Sequence, residues 1–325
     1  MFLSVIKWFE FSRWYALPMS FFSWLIIFSF GYINNGNVLY GLIALVGILF
    51  GHLATNLFDD FFDFQNLNRY TDYNNKVILP NTQRGKCAYL TERKVSLKDV
   101  ITVVGVYCLI AFLIGCFFYY IYGKTVLLYM AIGCGIIFLY PFLSNYCLSE
   151  LLVGLAFGPL LFSGTYFVMT GKLGLEPVIL SIPSMIFTIN LLYTDMFLDK
   201  DIDKKEGKKT LVNLLGNRAL SFHRGIMTMG YISVLLVPVF DLSNWQIFSV
   251  FCTIPLAIDL SESLELYREN SSSVPEKKWY HFPFEAWSDI KENRSMPFMF
   301  RMYQARNLMI YTSILLALSV YFFGV

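Results

Sequence analysis

Charged residues are scarce in this chain, and histidine is scarcer still. Of the 325 residues, 15% are Asp, Glu, Lys or Arg, and three are histidines. Soluble domains carry roughly 25% charged residues, so this composition suits a membrane protein far better than a soluble globular one. The net charge of +2 gives no reason to expect a nucleic-acid partner, and we expect no obligate protein partner either. The histidines, which form no spacing pattern and are not predicted to be catalytic, are His52, His223 and His281.

Paired cysteines are also missing. The six cysteines are scattered, mostly within apolar stretches, and none of them forms a CxxC pair. This spacing argues against a zinc site or a disulfide framework and favours small buried apolar side chains. The six are Cys87, Cys108, Cys116, Cys134, Cys147 and Cys252.

Apolar residues dominate the chain instead. Hydrophobic residues make up 56% of the sequence, and the mean hydropathy is +0.55. A helix needs about 20 mostly apolar residues to cross a bilayer, and strands with open edges cannot face lipid. The sequence therefore predicts an all-α polytopic membrane protein with about nine transmembrane helices. The first helix lacks a small-residue cleavage site and is expected to be retained. The predicted segments are 15–33, 38–58, 99–120, 125–143, 149–170, 175–194, 222–240, 244–260 and 307–324.

Basic residues are distributed unequally between the two sides of these segments. The N-terminus and the loops near 59–98, 195–224 and 261–306 carry 23 of the 25 Lys and Arg residues. The opposite loops carry only Lys124 and Lys172. Because positive residues stay on the cytoplasmic side, we expect a cytoplasmic N-terminus, cytoplasmic loops at the three basic regions and an external C-terminus.

Two acidic clusters lie where apolar segments meet these basic loops. Like charges on one helical stripe repel, and acidic residues at a helix C-terminal end oppose the helix dipole. Mg²⁺ takes carboxylate oxygens and often completes its shell with substrate phosphate. We therefore predict that the clusters face each other across Mg²⁺ and a diphosphate. The first cluster is Asp59, Asp60 and Asp63, and the second is Asp195, Asp199 and Asp203, whereas Asp201 points away from its neighbours' stripe.

Polar and basic neighbours of the clusters have two possible roles each. Asn56 and Asn190 precede their clusters by about one turn, and each either bonds to a neighbouring helix or completes the site. Six basic residues in the adjoining loops serve topology or bind diphosphate, and two or three of them are expected to touch substrate. The six are Arg84, Lys86, Arg93, Lys94, Lys208 and Lys209. The long segment 261–303 is amphipathic and aromatic, which indicates an interfacial helix or a lid.

The second cluster and the residues after it resemble the UbiA superfamily of intramembrane prenyltransferases. The pattern Asp195-xxx-Asp199-xxx-Asp203, followed by Gly207-Lys208-Lys209-Thr210-Leu211, is similar to that superfamily's second motif and its tail. The tail is most similar to that of 1,4-dihydroxy-2-naphthoate prenyltransferases of menaquinone synthesis. The opening at Arg13 also resembles that group, with Trp14 in place of its usual proline.

The first motif departs from the superfamily pattern. It usually reads Asn-Asp-x-x-Asp, and here Asp59 stands at the Asn position. A further Asp is expected a few residues later, where Leu67 and Asn68 stand, and Asp72 is the nearest acidic substitute. These departures leave the number of metals and the third ligand of the first motif open.

The resemblance implies a UbiA-like helix bundle, with residues 1–325 as one transmembrane prenyltransferase domain. It implies Mg²⁺-dependent transfer of a prenyl group from a polyprenyl diphosphate to an aromatic acceptor, in a bacterial inner membrane. The implied catalytic residues are Asp60, Asp63, Asp199 and Asp203, with Asn56, Asp59 and Asp195 as further metal ligands. The implied substrate-binding residues are Arg13, Asn190, Arg84, Lys86, Lys208 and Lys209, with Arg13 either near an acceptor carboxylate or serving topology.

Other functions fit the same residues. Within the superfamily, the acceptor could be 4-hydroxybenzoate, homogentisate, haem or a glycerol phosphate, or the chain could be a terpene cyclase without an acceptor. A cation transporter also uses intramembrane acids. Transporters place those acids near the midplane at broken helices, whereas these clusters lie at cytoplasmic ends beside basic loops.

The charge distribution makes the topology testable. A reporter fused after Val325 is expected to lie outside the cytoplasm, and one inserted near Ser272 inside it. Two reporters on the same side would contradict nine crossings, and the short segment 244–260 would be the first to be removed from the count.

Overall fold

The computed structural model describes residues 4–70, 88–143, 147–205, 209–240, 242, 245–284 and 296–323. The backbone of these residues forms helices joined by turns, and it forms no sheet. The α-helices in chain order are α1 (Val5–Phe11), α2 (Pro18–Ile33), α3 (Val38–Tyr70), α4 (Ala88–Thr91), α5 (Leu97–Tyr122), α6 (Lys124–Leu143), α7 (Ser149–Leu155), α8 (Leu161–Thr170), α9 (Glu176–Lys205), α10 (Leu211–Leu215), α11 (Ala219–Val234), α12 (Leu236–Val239), α13 (Ile254–Glu269) and α14 (Met296–Phe323).

Several helices are extended or joined by tighter or wider turns. A 3₁₀ segment precedes α2, another joins α10 to α11, and a π-helical turn with Pro159 joins α7 to α8. A nine-residue 3₁₀ segment, Trp245–Thr253, leads directly into α13. Each short helix therefore forms one continuous helical segment with the element joined to it.

Nine helical segments within the described residues are long and apolar enough to cross a membrane. This count confirms the prediction of an all-α polytopic membrane protein. The segments are Trp14–Ile33, Val38–Gln65, Leu97–Tyr122, Lys124–Leu143, Ser149–Thr170, Glu176–Asp201, Leu211–Val239, Trp245–Glu269 and Met296–Phe322.

Local sequence signals set several of the helix ends. Ser96 and Asp99 form a capping box at the start of α5, in which the Ser96 hydroxyl accepts from the Asp99 amide at 3.2 Å. Gly171 ends α8 with a φ of 71°, and its amide donates to the Phe167 carbonyl at 2.7 Å. That backbone conformation favours glycine, which fixes the turn before α9.

The chain divides into two compact units, and each has its own core. Unit 1 comprises Met1–Phe21 and Leu42–Ser144, and unit 2 comprises Phe22–Gly41 and Asn145–Val325. The core of unit 1 joins α3, α4 and α5, with aromatic side chains of α1 packed against it. On another side of α3, Phe58 and Phe62 pack against Phe138 and Phe142 of α6, with ring centroids 5.5 and 5.0 Å apart.

Helix α9 is the common packing partner in unit 2. It contacts α7, α8, α11 and α14. Phe187 on α9 packs edge-on against Tyr231 of α11 at 5.3 Å, and the buried Tyr193 hydroxyl donates to the Ala219 carbonyl at 2.9 Å. These contacts fix the rotation of the helix that carries the second acidic cluster.

The helices that carry the acidic clusters are longer than predicted. The sequence placed the ends of the apolar segments at residues 58 and 194, whereas α3 continues to Tyr70 and α9 to Lys205. Hydropathy marks only where the apolar side chains stop. The helix itself continues into the polar residues, because its backbone hydrogen bonds do not depend on apolar side chains. The clusters therefore lie within continuous helices and not at their ends.

The predicted start of the last helix at residue 307 is wrong, because α14 begins at Met296. Its first three turns carry polar residues that hydropathy assigns to a loop, and these are buried with partners inside unit 2. Residues 261–269 are the end of α13, and the described residues 270–284 form turns and one 3₁₀ segment, Trp279–His281, and no interfacial α-helix. Residues 285–295 lie outside the described residues.

Candidate active site

The first acidic cluster lies on one side of α3. At about 100° per residue, Asn56, Asp59, Asp60 and Asp63 share a face. The side chains of Phe58 and Phe62 point to the other face and pack on α6. Asp60 is 1% exposed, Asp59 is also buried, and Asp63 is half-buried. The sequence therefore separates a packing face from a carboxylate face within one helix.

Arg13 lies against this carboxylate face. Its guanidinium forms an ion pair with Asp60 and lies 3.5 Å from Asp59 Oδ2. The backbone of Arg13 is left-handed, with a φ of 57°, so the chain turns sharply between α1 and the following 3₁₀ segment. The Asn56 amide donates to the Ser12 carbonyl at 2.9 Å and holds this turn in place. Arg13 thus contacts the protein's own carboxylates.

Asp60 has a second partner that the sequence did not indicate. The Tyr89 hydroxyl donates to Asp60 Oδ2 at 3.0 Å, and the Tyr89 ring stacks on Phe11 with centroids 4.4 Å apart. Tyr89 lies on α4, the short helix between α3 and α5. No spacing pattern links it to the cluster, so only the folded chain shows the contact.

The second acidic cluster lies along α9. Asp199 and Asp203 are buried, Asp195 is half-buried, and Asp201 is exposed. This agrees with the prediction that Asp201 points away from the stripe. The three aspartates at four-residue spacing lie on neighbouring turns of one side of the helix.

Asn190 lies on a different side of α9 from the second cluster. It is about 140° around the helix from Asp195 at 100° per residue. Its carbonyl accepts from Thr194 Oγ1 at 2.9 Å, and Thr194 Oγ1 lies 3.2 Å from His223 Nε2 on α11. Asn190 is buried, and its side-chain oxygen has no hydrogen-bond partner within the described residues. Its role in substrate binding stays a prediction.

The tail of the second motif forms the start of α10. Thr210 caps this helix by accepting from the Asn213 amide at 3.3 Å, and Lys209 is exposed. The Cys147 thiol donates to the Lys209 carbonyl at 2.8 Å, and burial raises the pKa of that thiol. The predicted substrate-binding residues Arg84, Lys86 and Lys208, like Asp72, lie outside the described residues.

The donor chemistry of both clusters suits a hard divalent cation. Carboxylate oxygens come from Asp59, Asp60 and Asp63 on α3 and from the three aspartates on α9. In the described ranges, no group of three or more His, Cys, Asp or Glu side chains is arranged to hold a metal ion. Mg²⁺ is usually bound by one or two carboxylates together with water and substrate phosphate, so an open row of carboxylates fits it.

The ion pair at Arg13 predicts a specific pattern of stability. Arg13→Gln leaves Asp60 buried without its cation and is expected to lower the free energy of unfolding by about 3 kcal/mol. Adding Asp60→Asn removes the buried charge as well, so the double variant is expected to recover most of that loss. Denaturant titration in detergent measures both. Lys7→Gln, which removes an exposed cation from the same segment, is the control, and additive losses in the double variant would contradict a direct pair.

Comparison with known proteins identifies the family of this chain. The model of the UbiA prenyltransferase family matches residues 16–288. A relative, the 1,4-dihydroxy-2-naphthoate octaprenyltransferase of Bacillus subtilis (strain 168), is 25% identical over 219 residues, which cover 66% of this chain and 67% of the relative.

Solved structures share the fold over nearly the whole chain. A UbiA homologue from Aeropyrum pernix K1 has a TM-score of 0.61 at 15% identity and covers 91% of this chain and 96% of its own. A UbiA homologue from Archaeoglobus fulgidus, bound to GPP and Mg²⁺, has a TM-score of 0.56 at 14% identity and covers 93% and 99%. At these identities the structures establish the fold. With the nine apolar helices and the match over residues 16–288, they show that this chain is an integral membrane prenyltransferase and belongs to the UbiA prenyltransferase family.

Proposed function

We propose that this protein transfers a prenyl group from a polyprenyl diphosphate to 1,4-dihydroxy-2-naphthoate, with Mg²⁺ as its cofactor. One observation carries the proposal: two rows of aspartates, on α3 and on α9, in a chain of the UbiA family. The family homologue from Archaeoglobus fulgidus binds GPP and Mg²⁺, and the Bacillus subtilis relative carries the naphthoate name. The proposal extends both properties to this chain.

Carboxylates of both acidic clusters are proposed to hold the diphosphate through Mg²⁺. Asp60 and Asp63 on α3, and Asp199 and Asp203 on α9, are the proposed catalytic carboxylates. Asn56, Asp59 and Asp195 are proposed as further oxygen donors. Bound Mg²⁺ would neutralise charge on the leaving diphosphate. Lys208 and Lys209, with Arg84 and Lys86, are proposed to bind the remaining phosphate oxygens by charge-assisted hydrogen bonds.

The protein's contribution to the reaction is electrostatic and positional. The C–O bond between the prenyl chain and diphosphate breaks, and the leaving diphosphate takes the electron pair. An electron-rich ring carbon of the acceptor forms the new bond, and its proton is then lost to a carboxylate or to diphosphate, which restores the aromatic ring. Groups that are already in place when charge develops stabilise the transition state without reorganisation. The buried Asp60, fixed by Arg13 and Tyr89, would hold Mg²⁺ in place, and the charge of the bound metal would stabilise the leaving diphosphate.

The setting of the reaction is part of the proposal and is supported by the charge distribution and by the family. We propose that residues 1–325 act as one domain in a bacterial inner membrane, with the N-terminus and the active-site loops in the cytoplasm. The prenyl chain would lie among the apolar helices, and the diphosphate would enter from the basic, cytoplasmic side.

Replacing the proposed catalytic carboxylates tests the metal–diphosphate site. Asp60→Ala and Asp199→Ala are each expected to lower turnover by about two orders of magnitude or more, because each removes a carboxylate that would hold Mg²⁺ beside the leaving diphosphate. The exposed Asp201→Ala, two residues from Asp199 on the same helix, is the matched control and is expected to keep near-normal turnover. Diphosphate release from a defined prenyl diphosphate, with and without Mg²⁺, is the measurement.

Two outcomes would contradict this assignment. Near-normal turnover in either alanine variant would remove the aspartate from the site. Diphosphate release that does not depend on a divalent metal would remove the metal. Product analysis against a panel of aromatic acceptors then identifies the acceptor, and a product formed with 4-hydroxybenzoate or homogentisate alone would replace the naphthoate.

Arg13→Lys separates two proposed roles of Arg13. A lysine keeps the charge but cannot bind a carboxylate through two parallel hydrogen bonds. If Arg13 meets an acceptor carboxylate during turnover, the apparent KM for the acceptor is expected to rise several-fold while that for prenyl diphosphate stays almost unchanged. Equal changes in both constants would assign Arg13 to the first cluster, where the structure shows its ion pair.

A further inference from the structure

A tyrosine of α13 contacts the backbone of α9 beside the second acidic cluster. The Tyr267 hydroxyl donates to the Leu198 carbonyl at 3.2 Å. Leu198 immediately precedes Asp199, and Asp203 follows one turn later. A helix carbonyl has two lone pairs, so it accepts this bond in addition to its bond within the helix. The contact therefore fixes the backbone from which the buried aspartates project.

Arg301 of α14 lies over the ring of the same tyrosine. Its guanidinium carbon is 4.8 Å from the centroid of Tyr267, and the residue is 0% exposed. The guanidinium donates to the carbonyls of Ser263, Ser273 and Pro297 at 2.7, 2.9 and 2.6 Å, and to Ser273 Oγ at 3.2 Å. All of these contacts within the described residues are with neutral groups.

A buried cation whose contacts in the described part of the chain are all neutral is costly in a membrane helix. Intramembrane ionisable residues are retained mainly for function, and burial of a charge needs dense hydrogen bonding. A cation over an aromatic face is attracted to that face, and the planar fork of Arg301 can bind three carbonyls at once. Arg301 therefore holds the Tyr267 ring at a defined place between α14 and α9.

We propose that Tyr267 and Arg301 are positioning residues for the second acidic cluster. Arg301 fixes the ring of Tyr267, Tyr267 fixes α9 at Leu198, and Asp199 and Asp203 are thereby held ready for the metal–diphosphate complex. Neither residue touches substrate. This inference rests on the proposed function, because it concerns the affinity of that cluster for Mg²⁺.

Tyr267→Phe is the sharpest variant, because it removes one oxygen atom and keeps the ring under Arg301. The half-saturating Mg²⁺ concentration is expected to rise by roughly three- to tenfold, the scale set by the loss of one hydrogen bond. The KM for the aromatic acceptor is expected to stay unchanged. A second readout needs no activity: amide hydrogen exchange in the peptide around Leu198 to Asp203 is expected to speed up in metal-free protein in detergent.

Tyr311→Phe is the matched control. The Tyr311 hydroxyl also donates to a backbone carbonyl, that of Phe282 in the segment 270–284. Its removal is expected to leave both the Mg²⁺ requirement and the exchange of the α9 peptide unchanged. If Tyr267→Phe and Tyr311→Phe behave alike in both measurements, Tyr267 only seals the bundle and the proposal is overturned.

Arg301→Lys tests whether Arg301 acts by fixing the ring of Tyr267. Lysine keeps the charge and loses the fork, so it is expected to shift the Mg²⁺ requirement in the same direction as Tyr267→Phe. Adding Arg301→Lys to Tyr267→Phe is expected to produce little further shift. Independent, multiplying shifts would contradict a common route through Tyr267. If Arg301→Lys does not fold, the two tyrosine variants still decide the proposal.

The wild-type protein separates failure of this inference from failure of the proposed function. Metal-independent diphosphate release, or none at all, in the wild type would overturn the proposed function. Metal-dependent release in the wild type, with an unchanged Mg²⁺ requirement and unchanged α9 exchange in Tyr267→Phe, would overturn the positioning role alone.

Discussion

Burying carboxylates inside a membrane protein is the constraint on which the rest of the structure depends. An ionised carboxylate loses much solvation energy away from water, and it stays charged only beside a cation or several donors. Unit 1 meets this constraint at Asp60 with the Arg13 guanidinium and the Tyr89 hydroxyl. The left-handed turn at Arg13 and the bond from Asn56 to Ser12 both serve to bring that guanidinium to α3.

Unit 2 compensates a partly buried carboxylate with a different set of donors. Asp259 of α13 accepts hydrogen bonds from Lys278 Nζ, the Tyr280 hydroxyl and His281 Nε2, all within 2.8 Å. These bonds raise the pKa of Lys278, and burial lowers the pKa of His281. The same segment, 270–284, is tied to α14 by Arg301. These hydrogen bonds therefore attach the segment 270–284 to α13 and α14.

Hydropathy was sufficient to predict the fold class and the count of nine apolar spans within the described residues, and the four-residue spacing was sufficient to predict that Asp195, Asp199 and Asp203 lie along one side of a helix. Both patterns were insufficient for the start of α14, because the buried Arg301, Gln304, Arg306 and Asn307 look like loop residues until their partners are known. The contacts of Asp60 with Arg13 and Tyr89 join residues 47 and 29 positions apart, and no local pattern encodes such a pairing. The contact of Tyr267 with Leu198 could not be predicted from hydrophobic periodicity for the same reason.

The turn at Arg13 has a practical consequence for handling the protein. The family model begins at residue 16, so an alignment presents α1 and Arg13 as a dispensable leader. In the folded chain, the Ser12 carbonyl is bound to α3 and Trp8, Phe9 and Phe11 pack against the core of unit 1. Trimming an expression clone to the aligned region, or crowding α1 with a bulky fusion partner, would thus disturb the aspartate row itself.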